Sequence, residues 1–526
     1  IELKDKTPGW AEKVTRIPKD QILRVARGMG KAAPNVTVWL GPGASMQVRG
    51  GYTAMAVHAL NGLVGSVDNV GGPMAKASIP AGKMPRIGAY QDEIAAKHSK
   101  KQKVDQRGYK EFPSLNGGKS GGGVVTNNVA DAMLNADPYD IKMAIGYMNN
   151  FAFSCTGVHR WEKAMEKLPF FVHVTTHASE MTQYADIVLP AAITTYEKWG
   201  FLKNKANRYA YNSLIQPVVT PLWEVRIDET EVPYLIGERL AAKGFSNLLD
   251  YYRNELKDPE TGRSATTANE FAEYSVKFYT SPVWDGKKDV GGDKINGWEQ
   301  FKKRGLWNSS PYEYKERWGR FKTATKKFEF YSDTLRKALT AHAEKHKTTI
   351  DDVLKTCKYE ARGELAFVPH YEKPYLWGDE KEYPFTFVDY KSRLNREGRS
   401  QNATWYMEFK KVDVGDESWD DVLKINPADA RKLGIEAGDM VKVTSVNGSF
   451  TVKAKPWEGI GPGMVAKCYG QGHWAYGRVA AKNYRRAEPR SVNNNEIMPA
   501  DYDRLSGSTA RNGGFTRVKI EKAQSQ

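Results

Sequence analysis

Two short apolar segments that end in hydroxylated or small residues could hold a nucleotide. Residues 170–174 predict a buried strand that runs into Thr175 and Thr176, and residues 185–190 predict a second strand that ends in Pro190. In a doubly wound parallel sheet, ligands bind at the carboxyl ends of the strands. Threonine hydroxyls at that edge are suitable partners for ribose hydroxyls. The stretch therefore predicts part of a nucleotide-binding α/β domain.

A guanine base needs a carboxylate that accepts hydrogen bonds from its N1–H and N2–H groups. Asp186, or alternatively Glu180, stands close enough in sequence to these strands to serve. Asp186 could equally cap a helix. Glu197 and Arg208, further along, could instead form an internal ion pair that orders their loop.

A glycine turn earlier in the chain has the composition of a phosphate-binding loop. Residues 35–40 predict a strand that runs into Gly41 and Gly43, and residues 51–64 predict the helix that follows. Glycine lets backbone N–H groups approach a pyrophosphate closely because no Cβ intervenes. A strand, a glycine turn and a helix in this order are typical of the entry unit of a doubly wound sheet.

Other elements of the same domain follow from apolar periodicity. Residues 18–30 predict a helix that ends in a glycine cap, residues 141–148 a strand, and residues 161–168 a helix. The strand at 141–148 ends in Asn149 and Asn150.

The order of these residues resembles the cofactor-binding segment of the molybdopterin oxidoreductases of the dimethyl-sulfoxide-reductase family. The shared positions are Thr182, Ala185, Asp186, Leu189, Pro190, Glu197, Gly200, Asn204 and Arg208. Residues 56–73 match a second family pattern, A-x-x-x-L-N-x-L-x-G-x-x-x-x-x-G-G-P, and residues 146–155 resemble the "G-x-N-P" loop with Phe151 in place of the proline. The resemblance implies that Asn149 and Asn150 donate hydrogen bonds to a phosphate or ribose.

The C-terminal region carries another family signature. Residues 426–441 resemble "N-P-x-D-A-x-x-L-G-I-x-x-G-D-x-V", a capped helix and a tight turn whose residues are mostly scaffold. Strands are predicted at 385–388, 440–445 and 449–455, with a type I′ turn at Asn447-Gly448. Short alternating strands with glycine turns indicate a β-barrel. Ahead of it, residues 321–332 resemble "T-x-x-G-K-x-E-F-Y-S", although Lys326 replaces the usual glycine.

Three loops of this region are candidates for contacts with the cofactor. Amide side chains offer the paired donors and acceptors that complement a pterin edge, and arginine can fork onto a phosphate. The candidate residues are Lys391, Arg393, Gln401, Asn402, Gln471, His473, Trp474, Asn494 and Asn495. His473 has no His or Cys neighbour at ligand spacing, so we expect an oriented hydrogen-bond donor and assign no metal ligand. No catalytic residue can be assigned from the sequence.

Composition excludes several classes of protein. The 526 residues are 40% hydrophobic and 11% aromatic, which is ample for packed cores and more than one domain. No apolar run approaches the length of a membrane span. Lys and Arg number 78 against 62 Asp and Glu, a net charge of +16 that favours anionic ligands. No nucleic-acid-binding motif accompanies this charge, so nucleic acid is not expected as a partner.

The number and spacing of the cysteines bear on whether this chain can hold an iron–sulfur cluster. Full-length members of the family begin with a cysteine-rich iron–sulfur segment and carry a Cys, Ser, selenocysteine or Asp that ligates the metal. Cys155, Cys357 and Cys468 are too widely spaced for a cluster motif, and the first residue is Ile1. We therefore expect the C-terminal half to two-thirds of a larger polypeptide, or a processed piece of one. A [4Fe-4S] cluster is expected in the missing N-terminal part, without which this chain should be inactive.

These observations predict an α/β fold with doubly wound nucleotide-binding units and a C-terminal six-stranded β-barrel. The expected domains are 1–220, an α/β molybdopterin guanine dinucleotide-binding domain; 221–380, a mixed helix and loop segment; and 381–526, the barrel. The two matching regions suggest one dinucleotide each, so the cofactor implied by the resemblance is bis(molybdopterin guanine dinucleotide) with Mo or W.

Within the family, Trp405, residues 364–371 and the tail from Gly470 are most similar to arsenate respiratory reductases and their tetrathionate, selenite and polysulfide reductase relatives. The resemblance implies a periplasmic enzyme of anaerobic respiration that reduces an inorganic oxyanion such as arsenate. Its partners would be the N-terminal part of the same subunit and an iron–sulfur electron-transfer subunit. Tetrathionate, selenite, thiosulfate or polysulfide reduction, or a non-catalytic cofactor-binding module, are the alternatives.

Overall fold

The computed structural model describes residues 4–74, 79–99, 101–192, 196–220, 229–316, 318, 321–483 and 488–523. The helices within these ranges are α1 (Pro8–Thr15), α2 (Lys19–Ala32), α3 (Pro42–Ser45), α4 (Gly50–Leu63), α5 (Glu93–His98), α6 (Val129–Asn135), α7 (Phe151–Ser154), α8 (Val158–Lys167), α9 (Val232–Ala241), α10 (Asn247–Glu255), α11 (Ala268–Thr280), α12 (Trp298–Arg304), α13 (Asp333–Lys345), α14 (Ile350–Thr356), α15 (Thr404–Phe409) and α16 (Pro427–Lys432). The strands are β1 (Ala144–Tyr147), β2 (Phe171–Thr175), β3 (Ile187–Pro190), β4 (Gly200–Ala206), β5 (Tyr209–Ile215), β6 (Leu306–Asn308), β7 (Phe385–Tyr390), β8 (Val422–Ile425), β9 (Met440–Thr444), β10 (Ser449–Pro456), β11 (Met464–Cys468), β12 (Ala481–Asn483), β13 (Glu488–Pro489), β14 (Tyr502–Asp503), β15 (Ser508–Thr509) and β16 (Gly513–Lys522).

The first sheet is parallel and has the order β1-β2-β3. Every residue of the central strand β2 is buried, which agrees with its largely apolar sequence. Helix α8 packs Trp161 and Met165 against Phe171 and Met181 in the core beside this sheet. Because all three strands run the same way, their carboxyl ends lie at one edge. The predicted strands at 141–148, 170–174 and 185–190 are thus confirmed.

Residues 35–40 do not form the strand that the sequence predicts. The backbone of Val38 is instead bonded to one side chain, because its N–H donates to Asn61 Oδ1 at 2.8 Å and its carbonyl accepts from Asn61 Nδ2 at 2.9 Å. These two bonds occupy the groups that a neighbouring strand would otherwise use. The helix predicted at 51–64 is confirmed as α4. The helix predicted at 18–30 is present as α2 but continues past Gly30 and ends ahead of Pro34.

The middle of the chain is mainly helical and adds a small antiparallel sheet of order β4-β5-β6. Its aromatic core includes Trp284, Trp298, Phe301 and Trp307. Lys326, which stands where the family usually has glycine, adopts the left-handed backbone conformation with φ 58°. The turn at this position is therefore kept despite the Cβ. The predicted domain boundaries stay predictions.

The C-terminal strands close into a barrel with the order β10-β8-β11-β7-β16-β9. Inward-facing residues such as Phe387, Val441, Val465 and Val518 fill its interior. The predicted β-barrel is confirmed. Helix α16 begins as the sequence indicates, because Asn426 Oδ1 accepts the backbone N–H of Ala428 at 2.9 Å and Pro427 occupies the first turn.

The connection between β9 and β10 differs from the predicted type I′ turn. That turn requires positive φ at both central residues, and neither Asn447 nor Gly448 has it. Residues 445–448 form a four-residue loop in which the backbone N–H of Ser445 donates to the Gly448 carbonyl. A Cβ on Gly448 would lie 2.6 Å from the carbonyl oxygen of Glu496. Glycine is therefore required by a close approach of the tail and not by φ.

Among the described helices, none is both long and apolar enough to cross a bilayer.

Candidate cofactor-binding site

A cavity of about 460 Å³ lies where the carboxyl ends of the parallel strands meet one end of the barrel. Its size is typical of small-molecule sites. Residues from both regions of the chain line it. They are Met148, Asn149, Asn150, Phe153, Ser154, Thr175, Thr176, His177, Ser179, Asp389, Glu397, Gly398, Arg399, Asn402, Ala403, Tyr469, Gly470, His473, Tyr476, Asn493, Asn494, Asn495, Arg511 and Asn512. The two regions thus share a cavity, although the sequence suggested a separate dinucleotide for each.

The sheet side of the cavity is formed by the turns after β1 and β2. Asn149 Oδ1 is buried there without a hydrogen-bond partner. Asn150 binds the fold on both sides, since its Nδ2 donates to Glu180 and its Oδ1 accepts from the backbone N–H of Met181. Thr175 donates to the carbonyl of His177, while Thr176 lies 3.1 Å from the His177 ring nitrogen. All four predicted residues therefore reach the cavity.

Glu180 joins the sheet region to the barrel region. Its carboxylate is fully buried and accepts hydrogen bonds from the backbone N–H groups of Trp474 and Ala475, at 2.8 and 3.1 Å, and from Asn150 Nδ2 at 2.7 Å. His473 Nδ1 lies 3.1 Å from both carboxylate oxygens. Burial alone would raise the pKa of Glu180, but the charge and hydrogen bond of His473 and the Asn150 amide hold that pKa down at about 2.

The imidazole of His473 is held in plane by aromatic neighbours. Its ring stacks on Phe153 with centroids 3.6 Å apart and on Tyr476 with centroids 4.6 Å apart. His473 Nε2 is buried without a partner. The arrangement fixes one ring nitrogen on a carboxylate and leaves the other for a ligand.

The neighbouring amides of the barrel region are packed close to His473. Gln401 accepts the backbone N–H of His473 at 3.4 Å, and its Nε2 has no partner. Gln471 donates to the Tyr406 hydroxyl at 3.1 Å, and its Oε1 has no partner. Asn402 lines the cavity and accepts the Val479 N–H. Trp474 contributes its backbone to Glu180 and does not line the cavity.

The tail loop brings Asn494 and Asn495 to the cavity. Asn494 Nδ2 donates to Asp389 at 2.6 Å, and its Oδ1 is buried without a partner. Asn495 Nδ2 donates to the carbonyl of Phe153 at 2.8 Å. Burial raises the pKa of Asp389 to about 7, against the lowering effects of the Asn494 hydrogen bond and the Lys467 charge.

Two guanidinium groups supply positive charge at the cavity. Arg399 follows Gly398 in the loop after β7, and Arg511 precedes β16. Arg511 lies 3.8 Å from a carboxylate oxygen of Glu397, a contact too long for a strong ion pair. Both arginines are therefore suitably placed for an anionic ligand such as a phosphate.

Gln401 and Gln471, like Trp474, do not line the cavity, and five further predicted residues lie elsewhere. Gly41 and Gly43 flank the start of α3 with open space around them and do not line the cavity. Asp186 accepts the backbone N–H of Phe171 at 2.7 Å, at the amino ends of β2 and β3, so the structure places it at the wrong edge of the sheet for the cavity. Lys391 pairs with Glu397, and Arg393 pairs with Asp413. These ion pairs stabilise the loop after β7.

The sequence prediction omitted Asp389, Arg511 and Asn512 from the site. A signal for Asp389 was present, because a carboxylate directly follows the predicted strand at 385–388. Arg511 and Asn512 lie within the tail that resembles the family but have no pattern of their own, so only their position beside β16 reveals them. No group of three or more His, Cys, Asp or Glu side chains suited to a metal ion occurs in the part of the chain that the structure describes.

The donor and acceptor groups of the cavity fit a dinucleotide. Asn149 Oδ1, His473 Nε2, Asn494 Oδ1 and Asn512 Nδ2 are buried there and have no hydrogen-bond partner. Buried polar atoms are nearly always paired, so these atoms need a partner that the chain does not supply. A polar heterocycle with attached phosphates would pair the amides and place its charges near Arg399 and Arg511.

Two family models match the chain. Residues 17–230 match "Molybdopterin oxidoreductase", and residues 395–514 match "Molydopterin dinucleotide binding domain". The second match covers Arg399, His473, Asn494 and most of the barrel.

Curated relatives agree with these matches. The chain is 56% identical to the arsenate respiratory reductase molybdopterin-containing subunit of Chrysiogenes arsenatis, over 99% of this chain and 62% of that protein. It is 51% identical to the same-named subunit of Shewanella sp. strain ANA-3, over 99% and 61%. The thiosulfate reductase molybdopterin-containing subunit of Salmonella typhimurium is 23% identical, over 98% and 61%. The chain thus spans about three-fifths of the length of these relatives.

A solved structure shares the fold. Acetylene hydratase from Pelobacter acetylenicus aligns with a TM-score of 0.65 and 16% identity, over 98% of this chain and 64% of that one. The family matches, the curated relatives and the barrel agree on one assignment, which the resemblance of the sequence had predicted. The chain belongs to the molybdopterin oxidoreductase family and carries that family's dinucleotide-binding domain.

Proposed function

We propose that this chain forms the cofactor-holding part of a catalytic subunit that uses bis(molybdopterin guanine dinucleotide) with Mo or W to reduce arsenate. The observation that carries the cofactor assignment is the cavity between the sheet and the barrel. It combines buried amide and imidazole atoms that lack partners with two guanidinium groups. This combination suits a ligand with a polar ring system and phosphates.

Different side chains of the cavity would contact different parts of that ligand. Asn149 and Asn494 offer acceptor oxygens for ring N–H groups, and Asn512 offers an amide donor. Arg399 and Arg511 would pair with phosphate oxygens. When bound, the cofactor supplies two-electron and oxygen-atom chemistry, while the protein provides grip, orientation and electrostatics.

Arsenate is proposed as the substrate because of the difference in identity among the relatives. The two arsenate respiratory reductase subunits are 56% and 51% identical to this chain, whereas the thiosulfate and tetrathionate reductase subunits are 23% and 24% identical. The net charge of +16 also favours an anionic substrate. Tetrathionate, selenite, thiosulfate and polysulfide are the alternatives that an assay must separate.

We further propose an iron–sulfur electron-transfer subunit as partner and the periplasm as location. Both follow from the family resemblance, and each of the two arsenate relatives is named as one subunit of an enzyme. A [4Fe-4S] cluster would belong to residues of the complete subunit outside this chain. Cell fractionation and copurification of tagged protein under anaerobic growth would test these two proposals.

The decisive experiment uses the complete subunit purified anaerobically with its partner. GMP released by acid and Mo or W content should show two dinucleotides and one metal per enzyme. Oxidation of a reduced viologen dye should depend on arsenate with a higher kcat/KM than on tetrathionate, selenite, thiosulfate or polysulfide. Less than one GMP per enzyme would refute the cofactor assignment. A protein that carries full cofactor but prefers a sulfur compound would refute the arsenate assignment and leave the cofactor assignment intact. A protein that carries cofactor but turns over none of these substrates would indicate the non-catalytic module.

A further inference from the structure

The carboxylate of Glu180 lies between two parts of the chain that are far apart in sequence. It lies after β2, in the short helical turn Glu180–Tyr184, and contacts the loop after β11. That loop supplies two backbone N–H groups and the imidazole of His473 to the carboxylate. The contact therefore fixes the loop of the barrel region relative to the strand ends of the sheet.

The hydrogen bond to Glu180 determines which ring nitrogen of His473 carries a proton. Burial raises the pKa of this carboxyl group, but the charge and hydrogen bond of His473 and the Asn150 amide hold that pKa at about 2, so the group is ionised. An ionised carboxylate can only accept hydrogen bonds, so His473 Nδ1 must donate to it. In the neutral imidazole the lone pair is then on Nε2, the atom that is buried without a partner at the cavity.

The plane of the ring is fixed as well. Phe153, from α7 of the sheet region, stacks on the imidazole with an interplanar angle of 17°, and Tyr476 stacks with an angle of 27°. Rotation of the ring about its χ2 angle is therefore opposed by stacking and by the Glu180 hydrogen bond together. The direction of Nε2 is defined before any ligand binds.

We propose that Glu180 is a positioning residue for the dinucleotide: it fixes the His473 loop against the sheet and holds His473 in the tautomer that presents an acceptor Nε2 to the cofactor. The proposal rests on the proposed function, because it takes the cavity to be a dinucleotide site. It goes further by naming which hydrogen bond the ligand must complete, a ligand N–H or O–H donated to His473 Nε2. Preorganisation of this kind improves affinity by lowering the ordering cost of binding.

Glu180→Gln is the informative variant because it preserves size and the carbonyl acceptor for Trp474 and Ala475. The Gln amide carries no negative charge and its nitrogen can only donate, so the proton is no longer held on His473 Nδ1 and the Asn150 Nδ2 donor loses the oxygen that accepts its hydrogen bond. We expect a thermal midpoint close to that of the parent protein but a rate of cofactor loss about tenfold higher, the scale of one misdirected charged hydrogen bond. The rate is measured as GMP retained by the purified holoprotein after timed incubation and gel filtration.

Glu162→Gln is the matched control, since Glu162 pairs with His159 Nδ1 at 2.7 Å on the surface of α8. It removes the same type of contact away from the cavity and should leave GMP retention unchanged. A double-mutant cycle with His473→Ala adds a second check. If Glu180 acts through His473, Glu180→Gln should accelerate cofactor loss much less in the His473→Ala background than in the parent.

The outcomes separate this proposal from the proposed function. A parent protein that releases no GMP refutes the dinucleotide site itself. A parent that carries GMP while Glu180→Gln retains it equally well refutes the positioning role and leaves the site intact. Should Glu180→Gln fail to fold, ¹⁵N NMR of His473 in the parent at pH 8 decides, because a ring proton on Nε2 and none on Nδ1 would overturn the proposal.

Discussion

Replacing Asn494 with alanine should weaken cofactor binding and also destabilise the fold in a pH-dependent way. The structure gives this side chain two separate tasks. Its Oδ1 is buried at the cavity without a partner, and its Nδ2 donates to Asp389 at 2.6 Å. The sequence alone indicated only the first task.

The cofactor effect follows from the cost of an unpaired ligand group. Removing one partner of a buried hydrogen bond costs about 1–3 kcal/mol, which is roughly a 5- to 150-fold loss of affinity. GMP retained per chain should fall accordingly. Measurement at pH 6 and at pH 8.5 should show this loss at both values, because the amide oxygen does not titrate.

The stability effect depends on the charge of Asp389. Above its pKa of about 7 this buried carboxyl is ionised, and the Asn494 amide stabilises the ionised form. Hydrogen bonds to charged groups contribute about 1.5–3 kcal/mol, against about 1 kcal/mol for neutral ones. The decrease in the free energy of unfolding should therefore be larger at pH 8.5 than at pH 6.

Asp429→Ala provides the comparison. Asp429 accepts the backbone N–H of Gly463 at 2.7 Å at the other side of the barrel and does not line the cavity. Its loss should lower the thermal midpoint with only a secondary effect on GMP content. Full cofactor in Asn494→Ala, or equal cofactor loss in both variants, would refute the role assigned to the tail loop.

Three further variants test other parts of the site. Asp389→Asn should flatten the pH dependence of the free energy of unfolding, because the folded state holds the Asp389 proton up to about pH 7 while the unfolded chain releases it near pH 4, so stability falls as pH rises through that interval. In urea unfolding, the loss of stability from pH 5 to pH 8 should be smaller for the variant than for the parent, and an equal loss in both would refute the assignment. Arg511→Gln should increase cofactor loss most strongly at low salt, whereas Arg393→Gln, which breaks the exposed pair with Asp413, should not; equal effects would remove Arg511 from the phosphate contacts. Gly448→Ala should displace the tail loop and lower GMP retention because its Cβ would lie 2.6 Å from the Glu496 carbonyl, while Gly461→Ala, whose Cβ would meet nothing closer than 3.8 Å, should be tolerated; a fully loaded Gly448→Ala protein would contradict this.

Elements whose patterns are local were predictable from the sequence. Strand β2 is largely apolar, β9 and β10 alternate, and α16 carries its cap and proline in consecutive positions. The segment at 35–40 shows where this fails. Its apolar alternation indicates a strand, but the partner that satisfies Val38 is one asparagine side chain in α4. Periodicity carries no information about which group supplies the partner.

The site was predictable where residues directly follow a strand and less so elsewhere. Asn149 and Thr175 reach the cavity as expected, since the chain can only turn at the carboxyl edge after a parallel strand. Asp186 precedes its strand, so the direction of β3 places it at the opposite edge. The contact between Glu180 and His473 joins residues distant in sequence, and no local pattern could have revealed it.

Two buried carboxyl groups at this site differ in charge because they receive different numbers of donors. Glu180 accepts two backbone N–H groups, one amide and an imidazole, and it stays ionised. Asp389 receives the Asn494 amide, while the nearby Lys467 ammonium pairs with Asp421. Burial therefore prevails at Asp389 and brings its pKa to about 7. Near neutral pH Glu180 thus carries a fixed negative charge beside His473, whereas the negative charge of Asp389 appears as pH rises. Since Arg399 and Arg511 face the same space, the second charge should offset part of their attraction for phosphate above pH 7.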